Sequence, residues 1–253
     1  MQPWDHPVPP VLYKYLPPER LHVLSDCRVP FSQITAFEDD HELQPDYAIF
    51  GTQSEIWRYA ISIGFQLSRN GLPASVTVAA LAENPTMQSM ALEGMRRGTT
   101  VRHELGSFCL TEVNDCDRMW TEYGGNGMGF IVGFATSHAR FGEVLKSRGS
   151  LGKMSYSDVP FGSALGALEH EGAGVMFRKR MKYAFEREWR VIRLLTRLER
   201  TANDVFLSAF DPASVREIII RPDCTVETSV RQLGADNPRY KHVSVILQGV
   251  KPG

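Results

Sequence analysis

The chain has 253 residues, of which 43% are hydrophobic and 23% charged, and its formal net charge is −1. This composition is typical of a globular protein with its own core, and no apolar run approaches the ~20 residues that cross a bilayer. Because the first ten residues lack a basic region followed by an apolar stretch, we expect no secretory signal, no membrane association and a cytoplasmic location. The cysteines and histidines are scattered without metal-ligand spacing, so we also expect no bound metal.

The first hundred residues predict two strands followed by two helices. β-Branched and aromatic residues favour strands at 11–15 and 28–34, and the prolines at positions 17 and 18 favour a short helix between them. Apolar residues recur near the helical period over 53–69, and a second helix, which Pro85 can interrupt, is predicted over 73–95. Together these two helices predict a helical insertion at about residues 53–98.

The remainder of the chain predicts short strands mixed with short helices. We expect strands at residues 107–111, 129–134, 153–157, 188–195, 205–210, 217–221 and 242–247. We expect helices at residues 115–123, 137–146, 175–185 and 226–233. Because the two element types do not alternate strictly, the pattern favours an α+β fold, formed as a single domain over residues 1–253.

The first cluster of candidate functional residues lies on the first predicted strand. Alternation places Tyr13 and Tyr15 on one face of this strand and Lys14 on the other. The aromatic face could stack a base or a nicotinamide ring. The alternative is that both tyrosines belong to the core, with only their hydroxyls at its rim.

The second cluster lies near the middle of the chain. Ser107, Cys109 and Thr111 share one face of a predicted strand, and small polar side chains there leave room for a ligand. Trp120 and Tyr123 are three residues apart, so they share a face of the following helix. That face suits either ligand stacking or core packing, and packing is the favoured interpretation for Trp120.

The third cluster combines two glutamates with many cations. Glu186 and Glu188 are two residues apart where a predicted strand begins, so both can face one side, and Arg187 and Arg190 can compensate their charge. Residues 177–200 contain nine Lys or Arg and three Glu, a patch suited to phosphates. The alternative is a surface lattice of salt bridges on a solvated basic face.

Three stretches of the chain have an order and spacing that are found together in one protein family. They are residues 11–15 with 29–32 and 37–39, residues 107–112 with 119–123 and 129–130, and residues 185–190. In this order they resemble the bacterial domain of unknown function 2971, over most of the chain.

A more distant likeness concerns the ADP-ribosyltransferases. Tyr13, Ser107 and Glu188 follow the order in which those enzymes carry an early Arg, His or Tyr, a Ser/Thr-rich middle strand and a late Glu. Glu186 completes the Glu-x-Glu that those enzymes often have. The resemblance implies a mixed, split β-sheet that grips NAD in a cleft.

The same resemblance implies roles for individual residues. Glu188 would stabilise the oxocarbenium-like ribose, Glu186 would orient or deprotonate the acceptor, and Tyr13 would steady the ribose. Further contacts with NAD are expected from Lys14, Tyr15, Ser32, Ser107, Cys109, Trp120, Tyr123 and Arg190. NAD would be a substrate, and ADP-ribose would pass to a protein or nucleic-acid acceptor, as in a toxin or phage-defence effector with a cognate antitoxin.

Two other functions remain open at this point. Glu186 and Glu188 could serve a nuclease that uses a divalent ion, although two carboxylates alone make a thin metal site. The basic segment at 178–193 and the aromatic residues could instead form a nucleic-acid-binding module without catalysis, which would show steep salt dependence.

Overall fold

The structure is a computed structural model that describes residues 3–37, 47–68, 82–97, 103–138, 151–159, 161–166 and 176–249. These residues form a mixed α+β fold around a largely antiparallel sheet, which confirms the α+β part of the prediction. None of the described helices has the length and apolar character that crossing a bilayer requires.

The secondary structure consists of many short elements. The strands are β1 (Val11–Leu16), β2 (Arg28–Gln33), β3 (Tyr47–Ile49), β4 (Leu105–Thr111), β5 (Phe130–Ala135), β6 (Leu151–Lys153), β7 (Ser155–Tyr156), β8 (Phe161–Ser163), β9 (Arg178–Lys179), β10 (Glu188–Leu194), β11 (Glu199–Arg200), β12 (Phe206–Ala209), β13 (Val215–Ile220) and β14 (Ser244–Leu247). The α-helices are α1 (His22–Asp26), α2 (Gln53–Ser68), α3 (Pro85–Arg97), α4 (Asp117–Glu122), α5 (Ala164–Gly166) and α6 (Glu227–Asp236).

The main sheet contains ten of the described strands. Their order is β11-β12-β2-β4-β1-β5-β13-β14, while β10 pairs with both β4 and β6. One edge of β1 is bound along its whole length by β5, from Val11 opposite Ala135 to Leu16 opposite Phe130. Next to β5, the strands β13 and β14 pair in parallel, unlike the antiparallel neighbours elsewhere in this sheet.

The sheet is open between β1 and β4. A single pair, Tyr13 opposite Thr111, joins these two strands. The opposite edge of β4 is occupied by β10 over its full length, so β1 and β2 share the remaining edge, with β2 reaching it at Ser107. Between these two points the carbonyl of Cys109 accepts a hydrogen bond from Nζ of Lys14 at 2.9 Å. The side chain of Lys14 therefore bridges β1 and β4 at a point where their backbones do not pair.

The largest apolar core spans strands on both sides of the gap between β1 and β4, from Leu12 of β1 and Phe130 of β5 to Phe108 of β4 and Val191 of β10. Leu12, Phe130 and Val132 are fully buried there. Full burial of such a side chain stabilises the fold by about 1.5–3 kcal/mol. A smaller, separate cluster joins Ile56 of α2 to Leu165 of α5. The predicted helical insertion therefore packs against residues that follow it by about a hundred positions.

Most of the predicted elements are confirmed, with their ends shifted by a few residues. The strands predicted at 11–15, 107–111 and 188–195 are β1, β4 and β10, and the helix predicted at 53–69 is α2. Residues 69–81 and 98 of the predicted insertion, and most of the helix predicted at 137–146, lie outside the described residues.

The helix predicted at 175–185 is wrong. Arg178 and Lys179 form β9, which pairs in parallel with β7, and the carbonyl of Lys179 accepts a hydrogen bond from the amide of Ser157 at 2.9 Å. Arg180 is extended (φ −66°, ψ 151°), and a 3₁₀ helix follows at Met181–Glu186. Pairing with a distant strand thus overrides the local helical preference, which is only a weak influence on structure.

Candidate functional site

A cavity of about 240 Å³ lies where β1 and β4 diverge. Its walls come from β1, β2, β4, α4, β9 and the segment that leads into β10. The lining residues are Tyr13, Lys14, Tyr15, Ser32, Phe37, Cys109, Leu110, Thr111, Met119, Tyr123, Lys179, Glu186 and Glu188. Aromatic and charged side chains from distant parts of the chain therefore meet at the opening in the sheet.

Glu188 is positioned by the turn that precedes it. It is the first residue of β10 and lies opposite Thr111 of β4. Arg187, just before it, has a left-handed backbone with φ of 42°, which is uncommon for a residue other than glycine. The amide of Glu188 donates a hydrogen bond to the hydroxyl of Tyr156 at 2.7 Å. This turn brings both Glu186 and Glu188 to the cavity.

The carboxylate of Glu188 is buried and ionised. Only 3% of the residue is exposed. Its Oε1 atom accepts a hydrogen bond from Nε of Arg190 at 2.9 Å, and its Oε2 lies 3.4 Å from Nζ of Lys179. Burial favours the neutral acid, but the charges of Arg190 and Lys179 and a hydrogen bond from Cys109 outweigh it and lower the pKa of Glu188 to about 2.

Glu186 lies in a different environment, at the end of the 3₁₀ helix. Its Oε1 accepts a hydrogen bond from the hydroxyl of Tyr123 at 2.6 Å, and its Oε2 lies 2.7 Å from Nζ of Lys179. Burial, together with the charge of Glu188, raises the pKa of Glu186 even though Lys179 opposes the shift. Two neighbouring carboxyls whose pKa values are pushed apart are typical of an acid–base pair.

The wall formed by β1 presents two neutral phenols and one cation. The hydroxyl of Tyr13 donates a hydrogen bond to Glu217 at 2.9 Å, and burial together with this bond raises the pKa of Tyr13 to about 12. The hydroxyl of Tyr15 accepts a hydrogen bond from the amide of Cys116, and burial raises the pKa of Tyr15 as well. Lys14 reaches the cavity from the opposite face of β1, through the gap in the sheet.

Cys109 lines the cavity as a protonated thiol. Burial and the nearby charge of Glu188 raise the pKa of Cys109 to about 12. A nucleophilic cysteine requires the thiolate, which a low pKa favours. Cys109 is therefore a polar lining group and a hydrogen-bond partner of Glu188, and it is not an activated nucleophile.

Eight of the eleven residues predicted for the site line the cavity, and Ser107, Trp120 and Arg190 do not. Ser107 is 1% exposed within the strands, where its hydroxyl contacts the thiol of Cys109. Trp120 is also 1% exposed, and its Nε1 donates a hydrogen bond to Gln248. Arg190 is completely buried and forms an ion pair with the carboxylate of Glu188.

Five lining residues were not predicted as site residues: Phe37, Leu110, Thr111, Met119 and Lys179. In the sequence, Lys179 is only one cation of the basic segment. Strand periodicity could not place it, because it falls within the helix predicted at 175–185. The guanidinium of Arg190 lies 5.0 Å from the ring of Phe37, which gives this aromatic residue a link to the Glu188 ion pair. No spacing rule connects position 37 with positions 188–190.

Within the described residues, no group of three or more His, Cys, Asp or Glu side chains is arranged to hold a metal ion. A comparison with protein families, with curated proteins and with solved structures finds no match to this chain. Membership of the domain of unknown function 2971 and likeness to the ADP-ribosyltransferases therefore stay predictions, and the site is interpreted from its own geometry.

Proposed function

We propose that this protein is an ADP-ribosyltransferase-like enzyme, which cleaves NAD and transfers ADP-ribose to a protein or nucleic-acid acceptor. The observation that carries the proposal is the buried, ionised carboxylate of Glu188 in a cavity that Tyr13, Tyr15 and Tyr123 also line. A buried anion is costly unless it is paired, so its retention beside an open cavity suits a role in stabilising positive charge.

Cleavage of NAD develops the positive charge that Glu188 would stabilise. The bond between C1′ of the ribose and the cationic ring nitrogen breaks, and its electron pair leaves with nicotinamide, which becomes neutral. The ribose acquires oxocarbenium-like character, as in glycoside cleavage. The acceptor then forms a new bond to C1′ and releases one proton. The anion of Glu188 favours this charge distribution most strongly in a site with little water.

Glu186 would take the proton of the acceptor. A general base works best when its pKa lies near the working pH. Burial and the charge of Glu188 raise the pKa of Glu186 in that direction. The hydroxyl of Tyr123, 2.6 Å away, holds one oxygen of this carboxylate and leaves the group oriented for proton transfer.

The size and charge of the cavity suit the reactive end of NAD. Its volume of about 240 Å³ is below the ~300–1,000 Å³ of pockets that enclose drug-sized ligands. We therefore expect the nicotinamide and its ribose to be enclosed and the adenosine part to lie outside. Tyr13 and Tyr15 would supply apolar contact, and Lys14 a positive charge for the pyrophosphate. The gap between β1 and β4 supports this interpretation, because a split sheet is what the ADP-ribosyltransferase likeness implies.

The direct test is to incubate the protein with NAD, with and without cell extract as a source of acceptor, and to measure free nicotinamide by chromatography. We expect release by the unaltered protein and a loss of at least about 100-fold in Glu188→Gln. Glu112→Gln is the matched control, because Glu112 pairs with Lys153 at 3.1 Å without lining the cavity. Circular dichroism checks that both variants are folded, since Glu188→Gln leaves Arg190 without this carboxylate partner.

Equal release by Glu188→Gln and the unaltered protein, or no release under either condition, contradicts the proposal. Nuclease activity that a chelator abolishes and that ignores NAD would instead favour the metal-dependent alternative. Salt-sensitive RNA binding without consumption of NAD would favour the binding module.

A further inference from the structure

Lys179 lies between the two glutamates of the cavity. Its Nζ is 2.7 Å from Oε2 of Glu186 and 3.4 Å from Oε2 of Glu188. The ammonium also lies 4.4 Å from the centre of the Tyr183 ring, and 10% of the lysine side chain is exposed. The pairing of β9 with β7 fixes the backbone of this lysine. One cation is thus held by two acids and an aromatic ring at the wall of the cavity.

We propose that Lys179 is a positioning residue of this site, whose ammonium keeps Glu186 available as the anion that accepts a proton. The inference rests on the proposed function for the step that uses this proton. It assigns to Lys179 an action through Glu186, without contact between Lys179 and the reacting atoms.

The unequal distances show which acid depends on this lysine. Glu188 has its own cation, because both Nε and Nη2 of Arg190 lie 2.9 Å from its Oε1. Glu186 has the shorter contact with Lys179. Among the described residues, the cation that forms an ion pair with Glu186 is Lys179. Removal of Lys179 therefore leaves Glu188 paired, whereas Glu186 would remain buried beside a second anion.

The other groups that face Glu186 do not replace this charge. Tyr123 donates one neutral hydrogen bond, and the phenol of Tyr156 is neutral as well. Arg118 interacts electrostatically with Glu186, but its Nε is 2.6 Å from Glu122 on the exposed side of α4. The charge of Glu188 opposes ionisation of Glu186. A carboxyl in these surroundings without Lys179 would hold its proton to a higher pH than it does beside Lys179.

The test follows the titration of Glu186 directly by carbon NMR of labelled glutamate carboxyls, with the signal assigned by its absence in Glu186→Gln. We expect Lys179→Met and Lys179→Gln to raise the pKa of Glu186 by about 1 unit or more, because an opposite charge at this distance shifts a pKa by ~1–3 units. Lys179→Arg keeps the positive charge, so we expect the pKa of Glu186 in this variant to be close to its value in the unaltered protein. Lys182→Met is the matched control, because exposed Lys182 lies 4.7 Å from the same Tyr183 ring.

The rate of nicotinamide release gives the second readout. A base must be ionised, so the acidic limb of the pH–rate profile moves to higher pH in Lys179→Met, and Lys179→Arg returns it. An unchanged titration of Glu186 in both neutral variants overturns the proposal, whether or not NAD is cleaved. A shifted titration without nicotinamide release by any variant supports the control of Glu186 by Lys179 and refutes the proposed function.

Discussion

The two edges of β1 are built in opposite ways. On one edge, six residues pair in register with β5, from Val11 to Leu16. On the other edge, Tyr13 alone pairs with β4, and beyond it Lys14 reaches across to a backbone carbonyl. The strand thus pairs with β5 along one whole edge, while three of its residues, Tyr13, Lys14 and Tyr15, line the cavity.

This difference shows how one strand can serve stability and a site together. Backbone pairing with β5 along one edge and fully buried apolar side chains such as Leu12 hold β1 in the sheet. The other edge can then remain open and present polar side chains without loss of the strand. Buried charge at the open edge is balanced locally, by Arg190 and Lys179, since an unpaired buried charge would be costly.

The same substitution on the two sides of β1 should have very different consequences. Phe130→Ala removes a fully buried ring on the closed side, and we expect a loss of about 3–5 kcal/mol in the free energy of unfolding. Phe37→Ala, at the partly buried rim of the cavity, should cost less than about 1.5 kcal/mol, because folding buries a smaller part of the Phe37 ring than of the Phe130 ring. Urea unfolding measures both values. Similar losses in the two variants would contradict the comparison.

Acid should weaken the open side through Glu188. The pKa of Glu188 lies near 2 in the folded protein, below its ordinary value of 4.5, so its stabilisation is present above pH 4.5 and is lost as the pH falls towards 2. We expect the protein to lose on the order of 2 kcal/mol more than Glu188→Gln between pH 7 and pH 3, by urea unfolding. Glu186 acts in the opposite direction, and more strongly in the unaltered protein, because the charge of Glu188 contributes to the raised pKa of Glu186; the value of about 2 kcal/mol is therefore an upper one. Equal acid sensitivity of the two proteins would show that Glu188 is not held as an anion.

The smallest effect is expected where Lys14 bridges the gap. Lys14→Met removes the hydrogen bond to the carbonyl of Cys109, and water in the cavity can replace it, so we expect a loss of no more than about 1 kcal/mol. Thermal or urea unfolding measures this change. A loss as large as that of Phe130→Ala would mean that the bridge, and not the pairing with β5, secures β1.

Many residues of the candidate site could be predicted from local sequence patterns. Strand alternation brought Tyr13 and Tyr15 to one face, and the spacing of Glu186 and Glu188 predicted that both would face one side; all four line the cavity. Periodicity failed at Lys179, because a two-residue strand leaves no repeat in a sequence. The different pKa values of the two glutamates were also out of reach, since they depend on cations whose distances are set by the pairing of β9 with β7 and of β10 with β4.

Short-range chemistry thus established the mixed α+β class, most of the elements and the residue types of the site, because these follow from the periods of side chains along single elements. Only the tertiary structure decided the gap between β1 and β4, the burial of Ser107, and the place of Lys179 between two acids. Those features depend on which edge of β4 each distant strand occupies, and no interval along the chain encodes that choice.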